Sequence, residues 1–160
     1  MRCWLMKSEP TDCSIDDVLA MPGQQVAWYG VRNYQARNFM RDQMKVGDKV
    51  FFYHSNCATP GIVGLAEVSR LAYPDETQFE SKSKYFDPKA TPEKPRWFNV
   101  DVRITQKTRC IGLPELRAHT ELERMRVLQR GNRLSITPVD PSEWRFVCHS
   151  LLLLNTAGQA

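Results

Sequence analysis

The chain has 160 residues, of which 42% are hydrophobic and 25% charged. That composition suits one globular domain with a real core and excludes a disordered or low-complexity chain. Twenty-two Lys and Arg face eighteen Asp and Glu, a formal +4, which is mildly basic and short of the footprint of a dedicated nucleic-acid protein.

Cys3 to Met6 is a short apolar run that reads as a buried strand, stopped by Lys7-Ser8-Glu9-Pro10. Ser14, with Asp17 three residues on, announces a capped helix carrying Ile15, Val18 and Leu19. Asn33 caps a second helix, with Ala36, Phe39, Met40 and Met44 at helical spacing and Arg37 and Arg41 on another face. Gly47-Asp48 turns the chain. Lys49 to Tyr53 and Ile62 to Val68 read as strands. From Tyr73 to Pro95 runs a loop with four prolines and little periodicity, and a loop of that length is expected to be functional and mobile. Arg96 to Gln106 alternates as a half-buried strand. Short helices follow at Leu113 and over Thr120 to Val127, then a strand over Leu134 to Thr137. Asp140-Pro141-Ser142-Glu143 opens a last helix carrying Trp144, Val147, Cys148 and Leu151. Strands with helices between them indicate an α+β fold on a small curved, barrel-like sheet.

The five cysteines are odd in number and scattered, with no expected secretory leader, so reduced thiols in a cytoplasmic protein are expected. No run is long enough for a membrane partner. His54 and Cys57 lie three apart without a second pair at metal spacing, so neither a metal nor a cofactor is expected. Phosphate-binding glycine loops are absent.

Aromatic residues are interleaved with polar and basic ones. The densest stretch is Trp28-Tyr29-Gly30-Val31-Arg32-Asn33-Tyr34-Gln35-Ala36-Arg37. Tyr85 and Phe86 stand among Lys82, Lys84 and Lys89, and Tyr73 opens the same loop. Rings can stack on a base, amides can read its edge and basic groups can hold phosphates. Trp28 can equally be a core residue. Lys7-Ser8, at a strand end, can point into a pocket or simply end a turn.

The sequence resembles the EVE domain family. The resemblance rests on Trp4-Leu5-Met6-Lys7-Ser8-Glu9-Pro10 and Gly30-Val31-Arg32-Asn33-Tyr34-Gln35-Ala36-Arg37-Asn38. It continues in Phe51-Phe52-Tyr53-His54-Ser55-Asn56-Cys57, Gly61-Ile62-Val63-Gly64-Leu65-Ala66-Glu67-Val68, Tyr73-Pro74-Asp75 and Gly131-Asn132-Arg133-Leu134-Ser135. It implies a PUA-like β-barrel with surrounding helices, spanning 1–154 as a single domain with a short tail over 155–160. It also implies kinship with YTH domains and binding of a modified base, on nucleic acid (DNA or RNA) or as a free nucleoside. On that reading Lys7, Ser8, Trp28, Tyr29, Asn33, Tyr34, Gln35, Tyr73 and Tyr85 bind the base in an aromatic cage. Arg32, Arg37, Lys82, Lys84, Lys89 and Arg133 hold phosphates. Tyr29 departs from the acidic residue expected after the tryptophan. The alternative, by similarity to ASCH-domain enzymes, is a hydrolase of modified nucleosides using Lys7, Ser8 and Glu67 as catalytic residues, and it requires Lys7 and Glu67 to converge. A third reading is a protein-interaction module packed solid around Trp28.

Overall fold

The computed structural model describes residues 1–154; the expected tail lies outside the described residues. Strands β1 (Cys3–Ser8), β2 (Gln25–Ala27), β3 (Lys49–His54), β4 (Gly61–Pro74), β5 (Phe98–Gly112) and β6 (Ile136–Val139) form one sheet in the order β2-β5-β4-β3-β1-β6. β1 and β3 are parallel and the other neighbours antiparallel, so the sheet is mixed. β2 and β6 end the order, and among the described residues no pairing joins them; the sheet is open where a closed barrel was expected. Helices α1 (Pro10–Cys13), α2 (Ile15–Leu19), α3 (Tyr34–Asn38), α4 (Leu113–Arg117) and α5 (Pro141–Phe146) complete an α+β fold.

Period-two alternation explains why β1 is apolar from Cys3 to Met6. Trp4 and Met6 join a core with Phe52, Ile15 and Val18 of α2, and Ala36 of α3. Cys3 and Leu5 face the other way, into a second core with Phe51, Leu116 of α4 and Trp144 of α5. A strand covered on both faces cannot show a polar stripe. Trp4 still needs one polar partner, and its Nε1 donates to the buried Asp48 carboxylate at 3.0 Å.

Both capping boxes form. Ser14 Oγ accepts from Asp17 N, and Asp17 returns a bond to Ser14 N. Asp140 and Glu143 do the same for α5. Elsewhere the boundaries move. β1 runs on through Lys7 and Ser8, in register with Tyr53 and His54 of β3. β4 and β5 are 14 and 15 residues long; β4 exceeds its expected strand at both ends, β5 begins later, at Phe98, and runs on to Gly112, and both correct register through bulges. The expected helix over 120–127 is two separate 3-10 turns, and the strand expected from Leu134 begins at Ile136. Among the described residues no helix is long and apolar enough to cross a membrane.

Candidate functional site

The chain leaves a cavity of about 290 Å³ beyond the end of β1. Pairing between β1 and β6 ends at Met6 and Ile136, with Lys7 N still donating to Ser135 O at 2.8 Å. Lys7 and Ser8 therefore enter the cavity just as the sheet opens. Asp12 and Cys13 of α1 form one side, the segment from Val26 to Asn33 a second, Tyr85 a third, and Arg133 with Ser135 the rim.

The Ser8 hydroxyl donates to Cys13 O at 2.5 Å, tying β1 to α1. Its lone pairs remain free to accept. Lys7 is half-buried, and burial pushes its ammonium below the usual lysine range. Among the described residues it has no hydrogen-bond or ion-pair partner. A desolvated cation without a partner is costly, so an acceptor entering the cavity gains by meeting it. His54 serves the fold. Its Nε2 accepts from Ile15 N at 3.1 Å, anchoring the start of α2, and burial holds it below the usual histidine range. Among the described residues no three His, Cys, Asp or Glu side chains cluster at metal-binding range.

Trp28 is both wall and core. It is 8% exposed, belongs to the larger apolar cluster and meets Phe52 edge-on at 5.4 Å, while also lining the cavity. Tyr29 is 54% exposed and stands edge-on to Tyr85 at 5.9 Å.

Tyr85 is held from behind by a buried polar knot. Arg32 spends all five of its N–H groups on protein: Nε and Nη2 on Tyr85 O, Nη1 on Val31 O and Asp75, Nη2 also on Thr77. Arg32 is thus a brace between two walls and has no donor left for the phosphate assigned to it from sequence. Gln78, fully buried, donates to Asp75 O and Trp97 O and accepts from Arg96 N and Trp97 N. Asp87 accepts from Trp97 Nε1 at 2.7 Å. The loop expected to be mobile from its prolines is thus braced at several points, where backbone groups freed from a ladder are taken up by the Arg32 and Gln78 side chains.

Gly30 makes the wall possible. Its φ is +81°, its N–H donates to Asp75 at 2.7 Å, and an added Cβ would lie 2.7 Å from Tyr85 Cζ. Gly30→Ala is expected to displace Tyr85 and lower stability by about 1–3 kcal/mol from backbone strain and overpacking. Thermal melts and quenching of tyrosine fluorescence check this; a variant matching wild type in both would remove Gly30 from the wall.

Several residues expected in the site stand elsewhere. Tyr34, Gln35 and Tyr73 are outside the cavity lining. Tyr34 stacks on Trp97, and Tyr73 bonds to Asp101 through its hydroxyl while Arg70 covers its ring. Asn33 does line the cavity, but its Oδ1 caps α3 by accepting from Ala36 N. Arg37 is committed to Asn38 Oδ1 and Arg96 O. Lys82, Lys84 and Lys89 lie off the cavity, Lys84 at 3.9 Å from Asp12. Glu67 pairs with Arg103, opposite Lys49 on the sheet, and does not meet Lys7. The convergence required for the Lys7–Ser8–Glu67 hydrolase is therefore not present. Conversely, Asp12, Cys13 and Ser135 line the cavity without having been singled out. Asp75 could have been found from the Asp-x-Thr turn signal in Asp75-Glu76-Thr77.

A family model described as "EVE domain" matches residues 2–150. Human thymocyte nuclear protein 1 is 44% identical over 161 residues, 90% of this chain and 71% of that protein. A crystal structure of human THYN1 protein in complex with 5-methylcytosine-containing DNA superposes with a TM-score of 0.89 at 43% identity, covering 97% of this chain and 99% of that one. A mutant ASCH protein from Zymomonas mobilis, 11% identical, matches at a TM-score of 0.53 over 96% of this chain and 99% of its own, a likeness of fold alone.

Proposed function

The chain belongs to the EVE domain family, and from that premise we propose that it binds nucleic acid by taking one modified base into the cavity at the end of β1. The observation that carries this is Lys7, its ammonium without a partner among the described residues, lining a cavity walled by Trp28 and Tyr85. A base offers a flat face for the rings and carbonyl or ring-nitrogen acceptors for Lys7. Ser8, Asn33 and the Asp12 carboxylate supply further polar contacts at its edge, and an exocyclic amine suits Asp12. The complex of the human relative with 5-methylcytosine-containing DNA supports methylated cytosine as the first candidate and DNA as the first strand to try. A buried methyl is worth about 1 kcal/mol by area, so selectivity over cytosine is expected to be modest.

With Arg32 and Arg37 committed to protein, the phosphate contacts on this reading pass to Arg133 at the rim and its neighbours Arg130 and Arg126. These lie on a loop braced by Asn132, which donates to Arg126 O and accepts from Leu134 N. The PUA-like curvature expected of the sheet belongs to the same reading, supported by the bulges where β4 meets β5. So do a single domain over 1–154 and a cytoplasmic location.

The test is a titration of short single strands carrying cytosine, 5-methylcytosine, 5-hydroxymethylcytosine or N6-methyladenine at one position. One modified strand is expected to bind more tightly than its unmodified counterpart. Lys7→Met is expected to weaken that strand by about ten- to hundredfold, the usual worth of a charged hydrogen bond. Binding should fall with a shallow salt slope, because few phosphates are held. Equal affinity for all four strands, or wild-type affinity in Lys7→Met, would overturn the reading.

A further inference from the structure

Tyr34 stands on the first turn of α3, outside the cavity, with 51% of its surface exposed. Its ring stacks on Trp97, centroids 4.8 Å apart and planes at 26°. The Arg37 guanidinium is 4.7 Å from the Tyr34 centroid and 5.8 Å from that of Trp97. Arg37 therefore lies beside the stacked pair and not directly across Tyr34 from Trp97, and with half its surface exposed the Tyr34 ring keeps area open for a further contact. Arg96 reaches the Tyr34 hydroxyl at the ring's edge, 3.5 Å away. Arg41 lies one helical turn beyond Arg37, over Phe98. Asp42 and Asp87 are the acidic neighbours, paired with Arg41 and Arg96 respectively.

Packed side chains link this surface to the cavity. Trp97 lies 5.3 Å from the Arg32 guanidinium, and Arg32 lies 5.4 Å from the ring of Tyr85, the cavity wall. Tyr34 is thus three stacking steps from the base site, a distance that a strand covers within a few nucleotides. Its ring is backed by Trp97 and held by Arg37 and Arg96, so little ordering entropy opposes a second planar group landing on it.

We propose that the outer face of Tyr34 is a second nucleobase station, holding an unpaired base of the strand whose modified base occupies the cavity. This rests on the reading of the cavity given above. Stacking supplies affinity without sequence preference, and the partly exposed Arg41 and Arg96 side chains suit the adjoining phosphates.

The test uses a single strand carrying one 5-methylcytosine, with 5-iodouracil placed at successive positions to either side, and free 5-methyl-2′-deoxycytidine as a second probe. Irradiation is expected to crosslink Tyr34 from positions on one side only. Tyr34→Ala is expected to weaken the strand about five- to hundredfold and to leave nucleoside binding unchanged, with Tyr34→Phe restoring the strand. A bound strand that crosslinks elsewhere, with Tyr34→Ala at wild-type affinity, overturns the station and leaves the cavity reading standing. Loss of both probes in Tyr34→Ala also overturns it, since the ring would then only support Trp97. Failure of wild type to bind either probe removes the cavity reading and the station with it.

Discussion

Replacing Asp75 with alanine is expected to lower the unfolding free energy by about 3–5 kcal/mol, the cost of breaking a buried ion pair from one side. Asp75 accepts from Gly30 N at 2.7 Å, Arg32 Nη1 at 3.1 Å, Thr77 N at 2.9 Å and Thr77 Oγ1 at 2.5 Å, with its side chain 1% exposed. Alanine leaves those donors facing one another with no acceptor, and the two walls they join lose their register. Base binding should therefore fall with stability. Burial pushes the Asp75 carboxyl up, but the Thr77 hydroxyl, the Gly30 and Thr77 N–H groups and Arg32 outweigh it and hold it below the usual range. The unfolded chain consequently takes up the proton first as pH falls. The stability from Asp75 is full above the ordinary aspartate value of 3.8 and is lost as pH drops through the folded value. Chemical denaturation across the acid limb reads both effects. Asp75→Asn should flatten the acid limb as well as lower stability at neutral pH; an unchanged limb would mean that the knot does not depend on the charge.

Trp28→Ala is expected to abolish base binding and also to cost about 3–5 kcal/mol of stability, as large-to-small core changes do. Read from sequence alone, Trp28 in a polar, glycine-containing stretch predicts a binding defect with the fold intact. The structure corrects this: Trp28 lines the cavity but is 8% exposed and packs edge-on against Phe52. Trp28→Phe separates the two roles. It keeps most of the apolar volume and a smaller π-face, so its melting temperature should stay nearer wild type while binding drops. Trp28→Ala with an unaltered melt would show that the burial contributes little.

Much of the fold was legible because local rules decide it. Ser14 with Asp17 and Asp140 with Glu143 signal their caps through spacing alone, and both boxes form. The apolar run Cys3 to Met6 could only be a covered strand. β2 escaped notice because Gln25-Val26-Ala27 is too short to show a period, and it exists through pairing with Asp101 to Arg103. Sheet closure was out of reach for a related reason: whether β2 meets β6 depends on accumulated twist and bulges, which no residue pattern displays.

In the site, sequence determined the chemical inventory: a lysine and serine at a strand end, a tryptophan and tyrosines to stack, and arginines in number. The tertiary structure decided which of these are free to act. The Lys7 backbone N–H still reaches Ser135 O just before β6 begins, while its ammonium is left without a partner among the described residues. Arg32 and Arg37 look identical to phosphate ligands in a string of letters, yet protein oxygens take up all of Arg32's donors and three of Arg37's. Tyr34 is directed outward while Tyr85, fifty residues on, forms the wall. A side chain's function rests on the hydrogen-bond partners and solvent that surround it, and those are set by contacts distant in sequence, so residue type announces a capacity that packing then spends or leaves open.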